Sequence, residues 1–287
     1  MLTQAEFLSR TKTLDKLCPI HKIPLLQLDK IVKIAGEDKS RKPSPFCPEC
    51  VLERRDEQEQ EVVEKYLNAN VYLKTYNVLM RDSTIPNELK EAAFDNFIAE
   101  TSEEKQLLGF AKAQVKKYLE GMSGNTLITG STGIGKSHLS IAIAKALNEG
   151  YKARGEPKSV LFISLTELVK QIKEGWNYGK GAALTEFEAV NLLKSVDYLV
   201  LDDLGAKNAI VRPKSDWEQD LLFDILNNRK NTIINTNLNG EELKTVYNER
   251  NYSRILTGLE GNSFKVFNIK DKRYSLNRLK LKNQTGG

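Results

Sequence analysis

Cysteine and histidine are scarce in this 287-residue sequence, with three and two copies, and long apolar runs are absent. No stretch reaches the about 18 apolar residues that cross a bilayer, so we expect no contact with a membrane. Residues 1–17 lack the apolar core of a signal peptide, which predicts a cytoplasmic protein. Because that compartment is reducing and the cysteine number is odd, a disulfide framework is not expected.

Excess charge of one sign is also small, since 43 Lys and Arg against 38 Asp and Glu leave a net charge of +5. Such a surplus does not by itself indicate a nucleic-acid partner. Its distribution is uneven, because residues 250–287 hold nine basic and two acidic residues. This C-terminal segment is either a solvated basic face or a surface that contacts phosphates.

The few cysteines fall into a pattern with one of the two histidines. Cys18 and His21 form one pair, Cys47 and Cys50 form a second, and each pair has the two-residue spacing of a metal-binding knuckle. Three thiolates and one imidazole complete a closed tetrahedral set, which is typical of structural Zn²⁺ and leaves no open position for catalysis. The alternative is three unrelated buried thiols.

Length favours two domains, and the pattern of residues divides the chain accordingly. Residues 2–17 predict a short amphipathic helix, and residues 23–34, between the knuckles, predict a small hairpin. Residues 49–78 predict a long charged helix, either a solvated connector or an arm that docks on a partner. A linker-like stretch at 80–100 precedes a predicted helix at 102–119.

Strands and helices alternate from residue 125 onward. The predicted strands are 125–129, 159–164, 198–203 and 231–236, and the predicted helices are 136–147, 165–174, 185–195, 215–228 and 240–249. Repeated β-α units with apolar strands predict an α/β fold whose parallel sheet is covered by helices on both faces.

A phosphate-binding motif follows the first of these strands. The pattern G-x-x-x-x-G-K-[ST] is matched by Gly130, Ser131, Thr132, Gly133, Ile134, Gly135, Lys136 and Ser137, and His138 follows. The glycines let backbone N–H groups curl around phosphates, Lys136 is expected to reach the β- and γ-phosphates, and the Ser137 hydroxyl is expected to bind Mg²⁺. Because no N-K-x-D guanine-reading motif occurs, ATP is favoured over GTP.

Polar residues end two later strands, where ligands bind in open α/β sheets. We expect Asp202 to hold Mg²⁺ and Asp203 to polarise the attacking water, although many related ATPases have Glu there, so hydrolysis should be slow. Asn237 is the first choice and Asn235 the second for an amide that aligns this water; the alternative is an asparagine that caps a turn.

Two arginines, Arg250 and Arg254, lie four residues apart and therefore on one face of a predicted helix. An arginine given to a neighbouring subunit's γ-phosphate would stabilise the transferring charge and would require a homo-oligomer. The alternative is an exposed helix face.

The segments GSTGIGKSHL, YLVLDDLGA, DWEQDLLFDILNNR, INTN and ERNYSRIL together resemble the AAA+ ATPase module of DnaC/DnaI-type replicative helicase loaders, over about residues 80–275. The Cys/His pattern resembles the DnaI branch, whose N-terminal domain engages the helicase. By this resemblance Lys136 and Ser137 match the phosphate and metal ligands, Asp202 and Asp203 the acidic pair, Asn237 the sensor amide, and Arg254 the arginine finger with Arg250 beside it. The family's lid is truncated, and Arg273 or Lys272 would replace its sensor arginine.

The resemblance also implies where single-stranded DNA would bind. The family's contacts lie in a helical element that corresponds here to a stretch of cations and aromatics with Lys170, Lys173, Trp176, Tyr178 and Lys180. The alternative is that Trp176 packs into the core.

The resemblance predicts an ATP-dependent loader that uses ATP, Mg²⁺ and Zn²⁺. Residues 1–75 would be a zinc-binding domain that holds a hexameric replicative DNA helicase, 76–100 a linker, and 101–287 an AAA+ ATPase domain without a full lid that senses ATP and single-stranded DNA. One alternative is a transposition helper of the IstB type, which would bind duplex DNA and a transposase, although that group usually begins with a helical region. Another is a nucleotide-gated adaptor with negligible turnover.

Overall fold

The computed structural model describes residues 11–29, 32–33, 40–178, 184–205, 211–227 and 229–266. The chain divides into two compact units, residues 1–70 and 71–287. Within the described residues, no helix combines the length and the apolar character needed to cross a membrane.

The N-terminal unit is built on two short antiparallel pairs and one long helix. Strand β1 (Thr11–Leu17) pairs with β2 (Pro24–Leu28), β3 (Val32–Lys33) pairs with β4 (Ser40–Arg41), and helix α1 spans Pro48–Lys74. The long predicted helix is thus confirmed, four residues shorter at its C-terminal end. None of its side chains is buried, so α1 presents exposed apolar residues such as Val62, Tyr66 and Leu73.

Two sequence predictions for this unit are wrong. Residues 11–17, predicted as part of a helix, form a strand in which the β-branched Thr11 and Thr13 lie opposite Leu28 and Leu26. The segment 23–34 does not fold on itself, since its first half pairs with β1 and its second half with β4. In both cases the pairing with the neighbouring strand outweighs the pattern within the segment itself.

The C-terminal unit contains a five-stranded parallel sheet with the order β6-β7-β8-β5-β9. Its strands are β5 (Thr126–Thr129), β6 (Val160–Ser164), β7 (Tyr198–Leu204), β8 (Thr232–Thr236) and β9 (Ser263–Lys265). The four predicted strands are confirmed to within one residue at each end. The fifth, β9, has only three residues and was not predicted.

Helices cover both faces of this sheet, as predicted. They are α2 (Val78–Asp82), α3 (Ser102–Leu119), α4 (Lys136–Ala153), α5 (Leu165–Tyr178), α6 (Glu186–Ser195), α7 (Asp216–Leu226), α8 (Gly240–Val246) and α9 (Glu249–Ile255). Alternate residues of β6 enter two separate apolar clusters: Leu161 and Ile163 pack with α5, α6 and α7, whereas Val160 and Phe162 pack with α3 and α4. This alternation is what a sheet buried on both faces requires.

The stretch between α2 and α3 belongs to the core of the C-terminal unit. Ala92 and Phe97 are buried in the cluster that also holds α3 and α4. The backbone N–H of Thr84 donates to the Phe162 carbonyl at 3.0 Å, which extends the hydrogen bonding of β6 beyond the sheet edge. A segment whose composition reads as a linker therefore lies against the nucleotide-binding half of the sheet.

Candidate functional site

The phosphate-binding motif forms the turn between β5 and α4, the context that the motif requires. Gly133 and Gly135 have left-handed φ angles of 80° and 95°. A Cβ at Gly135 would also lie 2.5 Å from a ring carbon of Phe97, and one at Gly130 would lie 2.6 Å from the Ile134 side chain. Glycine suits Gly133 through its backbone conformation, Gly130 through lack of space, and Gly135 through both, and the turn fits a backbone cradle for phosphates.

Lys136 and Asn237 meet at the carboxyl end of the sheet. The Lys136 ammonium is buried, donates to the carbonyls of Gly130 and Ser131 at 2.8 Å each, and donates to Asn237 Oδ1 at 2.5 Å. Two residues 101 positions apart in sequence thus occupy one site. Of the two asparagines that end β8, Asn237 is the one that lies beside the phosphate-binding lysine.

Asp202 is buried at the end of β7, next to the start of α4. Asn235 Nδ2 donates to its Oδ1 at 2.7 Å, and the Ser137 hydroxyl lies near enough to the same carboxylate to lower the Asp202 pKa. Burial raises the pKa of Asp202, and the hydrogen bonds from Asn235 and Ser137 oppose that rise. A carboxylate and a hydroxyl in contact beside a phosphate cradle suit a site for Mg²⁺.

Asp203 has an unusual backbone, with a left-handed φ of 56°. The pairing of β7 with β8 slips in register between Leu201 and Leu204, so Asp203 lies in an irregular stretch of the strand. Such a conformation in a residue other than glycine costs energy and is commonly retained at functional positions. Its side chain is partly exposed and lines a cavity of about 170 Å³ together with Gly205, Lys214 and Tyr247.

His138 contacts the stretch that precedes α3. Its Nε2 lies 2.9 Å from the Ala93 carbonyl, and its ring packs edge-on against Phe97, with centroids 5.4 Å apart. The side chain therefore helps to fix this stretch against the first turn of α4.

The arginine pair lies on α9, and its aromatic neighbour was not predicted. Arg250 stacks on the Phe223 ring of α7 at 3.9 Å and binds Asp220 at 2.6 Å, while Arg254 lies 5.7 Å from the same ring and 3.4 Å from Asn227 Oδ1. No sequence signal connects Phe223 with either arginine, because they belong to different helices. The face is consistent with contact to another subunit, but that role stays a prediction.

The structure brings together only some of the residues that were predicted to contact DNA. Trp176 is 56% exposed and packs edge-on against Trp217, with ring centroids 4.8 Å apart. Lys173 lies over the Trp217 ring at 5.2 Å and 3.9 Å from Glu218. Trp176 is therefore not a core residue, and Trp217 joins the group from α7, a helix remote in sequence.

The other residues predicted to contact DNA have fewer described contacts. Lys170 is exposed and pairs with Glu174 at 4.0 Å, one turn along α5. The Tyr178 side chain and Lys180 lie outside the described residues, as do Lys272 and Arg273. The described chain ends at Val266, whose N–H donates to the Thr129 carbonyl at 2.8 Å, immediately before the phosphate-binding turn.

The Cys/His cluster of the N-terminal unit assembles from all four predicted residues. The ligand atoms of Cys18, His21, Cys47 and Cys50 lie within 4.8 Å of one another. The Cys18 and Cys50 sulfurs are 3.7 Å apart, and His21 Nδ1 lies 3.3 Å from the Cys50 sulfur. Bonds of about 2.3 Å to sulfur and about 2.0 Å to nitrogen place tetrahedral ligands at about these separations, so the cluster fits Zn²⁺.

A carboxylate that was not predicted supports the cluster. His21 Nε2 donates to Glu53 Oε1 at 3.0 Å. Glu53 lies on α1 one turn after Cys50, and this spacing is the only sequence signal that could have indicated it. A carboxylate on the far nitrogen fixes the ring and leaves Nδ1 directed at the sulfurs.

Hydrogen bonds and burial separate the pKa values within the cluster. The backbone N–H of His21 lowers the pKa of Cys18 to about 6, and the Cys18 side chain, followed by Glu53, raises the pKa of His21 to about 9. Burial raises the pKa of Cys50 to about 11. The protein itself therefore favours a thiolate at Cys18, the form in which cysteine binds metals.

The family described as IstB-like ATP binding protein matches residues 61–282. Among solved structures, the DnaC helicase loader is 22% identical, with a TM-score of 0.46, over 63% of this chain and 98% of that one. A structure of DnaI is 24% identical, with a TM-score of 0.47, over 64% of this chain and 94% of that one.

AMPPCP-bound DnaA from Aquifex aeolicus is 25% identical, with a TM-score of 0.47, over 68% of this chain, which spans 56% of the DnaA chain. No curated protein matches. The family match takes in more than half of the chain, including the phosphate-binding turn, the acidic strand and both arginines. The chain therefore belongs to the family of IstB-like ATP-binding proteins.

Proposed function

We propose that this protein is an AAA+ ATPase that uses ATP binding and hydrolysis to deliver a hexameric replicative DNA helicase to single-stranded DNA. The observation that carries the proposal is the meeting of Lys136, Ser137, Asp202 and Asn237 at the carboxyl edge of one parallel sheet, in a chain that also carries a Cys/His cluster. The first feature supports an ATPase, and the second supports a separate unit for a protein partner.

In the proposed ATPase site, the phosphate-binding turn and the N-terminus of α4 hold the phosphates of ATP. Lys136 would exchange its bonds to the loop carbonyls for phosphate oxygens. Ser137 and Asp202 would hold Mg²⁺, whose charge would offset that of the phosphates when it is bound. Asn237 orients the attacking water, and Asp203 accepts its proton.

Arg254 would complete the site of a neighbouring subunit in a homo-oligomer, because it lies on the α9 surface and not beside Lys136 of its own chain. Arg250, which is held by Asp220 and Phe223, would lie beside Arg254 at that site. Arg273 is our candidate for a further phosphate contact.

Two surfaces would receive the partners. In the C-terminal unit, Trp176 offers an exposed ring on which DNA bases could stack. Lys170, Lys173 and Tyr178 would contact the same single-stranded DNA. In the N-terminal unit, zinc bound by the Cys/His cluster would stabilise the fold that holds the helicase. The cluster ends at Cys50, before the family match begins at residue 61, so this unit is an addition to the family's ATPase region.

The second candidate is a transposition helper of the IstB type, which the family match itself favours. Such a protein would bind duplex DNA and a transposase in place of single-stranded DNA and a helicase. A third candidate, an adaptor that binds ATP without turnover, is kept open because Asp203 replaces the usual Glu and has a strained backbone.

Steady-state ATP turnover separates these candidates. We expect slow turnover that a single-stranded oligothymidine raises more than duplex DNA does. Asp203→Asn should lower turnover at least about 100-fold without loss of ATP binding, because a general base contributes about that much. Stimulation by duplex DNA alone would favour the transposition helper, and unchanged turnover in Asp203→Asn would refute the assigned base.

A further inference from the structure

Asn235 occupies the layer directly behind the proposed magnesium ligand. It is fully buried next to the last residue of β8, and its Nδ2 donates to Asp202 Oδ1 at 2.7 Å. Its Oδ1 accepts from the Ser140 hydroxyl, on α4, at 2.9 Å. One amide therefore connects the acidic strand, its neighbouring strand and the helix that follows the phosphate-binding turn.

The orientation of this amide is determined by its neighbours. An ionised carboxylate only accepts hydrogen bonds, so Asp202 requires the NH₂ side of Asn235. The Ser140 hydroxyl is then the donor that satisfies the amide oxygen. Ser140 and Asn235 are both fully buried, so the bond between them is shielded from water.

This geometry differs from that of an amide that aligns the attacking water. Asn237 lies against Lys136, whereas Asn235 is directed at one oxygen of Asp202. A donor that holds one carboxylate oxygen restricts the rotation of the group, and the Ser137 hydroxyl acts on the same carboxylate.

We propose that Asn235 is a positioning residue for the magnesium ligand Asp202, held in place by Ser140. The inference rests on the proposed ATPase function and adds to it a determinant of Mg²⁺ affinity. Because the residue acts through Asp202, its loss should change the Mg²⁺ requirement of the protein before it changes nucleotide binding. Partners in this outer layer typically contribute a factor of about 10 to 100 in metal affinity or activity.

The test compares the wild type with Asn235→Leu, which keeps approximate volume and removes both hydrogen bonds. The affinity for a fluorescent N-methylanthraniloyl ATP is measured first in EDTA. MgCl₂ is then added stepwise, and two readouts are recorded: the rate of ATP turnover and the increase in nucleotide affinity. We expect equal affinities in EDTA and a Mg²⁺ midpoint raised about tenfold or more in the variant.

Asn148→Leu is the matched control, because Asn148 is a buried amide on α4 that donates to the Tyr76 carbonyl, away from Asp202. It should keep the wild-type Mg²⁺ midpoint even if it lowers the melting temperature. If Asn235→Leu does not fold, Ser140→Ala provides the test, with a smaller shift in the same direction.

The outcomes separate the two proposals. A folded Asn235→Leu, or Ser140→Ala in its place, with the wild-type Mg²⁺ midpoint would overturn the positioning role. Lower turnover at saturating Mg²⁺ with an unchanged midpoint would also overturn it, and would assign Asn235 to the attacking water. If the wild type itself binds no nucleotide, the proposed function fails.

Discussion

At the scale of single residues, the candidate site concentrates costs that the rest of the fold must offset. Asp202 is a buried carboxylate whose pKa is raised by that burial, and Asp203 has a left-handed backbone. Neither arrangement helps the protein to fold, and both lie at the end of β7 beside the phosphate-binding turn. Strain and burial that are retained together in this way indicate function more strongly than either does alone.

The raised pKa of Asp202 has a consequence for stability that can be measured. A carboxyl group whose pKa is higher in the folded than in the unfolded state stabilises the fold below its unfolded pKa, and this contribution is lost as the pH rises through the folded pKa. Asp202→Asn should therefore melt at a higher temperature than the wild type at pH 7 without nucleotide.

The difference between the two melting temperatures should narrow as the pH is lowered toward and through the raised pKa of folded Asp202. Asp224→Asn, which alters an exposed carboxylate on α7, is the control and should follow the wild type. A variant that is less stable than the wild type at pH 7 would show that the ionised Asp202 contributes favourably to the fold.

Glu53 offers a second residue-scale prediction, because it holds the far nitrogen of His21 at 3.0 Å. Glu53→Gln should weaken Zn²⁺ binding about tenfold, measured by competition with a chromogenic chelator. Glu57→Gln, on an exposed carboxylate of the same helix, should leave the affinity unchanged. Equal chelator midpoints for all three proteins would mean that Glu53 does not support the site.

At the scale of elements, the parallel strands place the site. Because β5, β7 and β8 are neighbours and run in one direction, their carboxyl ends bring Lys136, Asp202 and Asn237 to one edge of the sheet. Pairs of helices build the outer surfaces of this unit. Helix α9 docks on α7 through the buried Asn251, whose Nδ2 donates to Gln219 Oε1 at 2.8 Å, and this contact presents both arginines on one face.

The pairing of α5 with α7 makes a testable prediction about DNA. Trp176 is exposed, whereas Lys173 already contacts Trp217 and Glu218. Stacking on Trp176 should therefore contribute more to the free energy of DNA binding than Lys173 does. Trp176→Ala should weaken binding of a fluorescent oligothymidine by about 1–3 kcal/mol. Lys173→Ala should cost less, and the reverse order of the two effects, measured by anisotropy at one salt concentration, would contradict the assignment.

At the scale of the whole molecule, sequence reasoning succeeded where signals are local. Buried parallel strands appear as short apolar runs with polar ends, which is why β5 to β8 were predicted to within a residue. The phosphate-binding motif and the Cys/His set are also local or have a fixed spacing. Strand β1 was missed because its residues alternate weakly and are stabilised by pairing with β2.

The parts of the site that the sequence did not predict were missed for the same reason as β1. Trp217, Phe223 and the bond from Asn235 to Asp202 depend on contacts between elements, and no residue type or spacing in the sequence identifies them. Glu53 also acts across elements, and only its spacing from Cys50 could have indicated it. Periodicity finds the elements, but it does not say which side chains of neighbouring elements touch.

The proposed arginine finger can be tested only on the assembled molecule. Arg254→Ala should lower turnover about 1,000-fold, and Lys136→Ala should be inactive. A mixture of the two variants should recover measurable turnover, because the intact Arg254 of one chain would serve the intact phosphate-binding turn of the other. A mixture as inactive as its components, despite normal assembly by light scattering, would contradict an arginine that acts in trans.

The central claim is that this ATPase delivers a replicative helicase. Affinity capture from cells that carry the gene, with the wild type and with Lys136→Ala, tests it most directly. We predict that both capture a hexameric helicase and that only the wild type transfers it to circular single-stranded DNA in the presence of ATP. Capture of a transposase without a helicase would contradict the claim and would assign the protein to transposition.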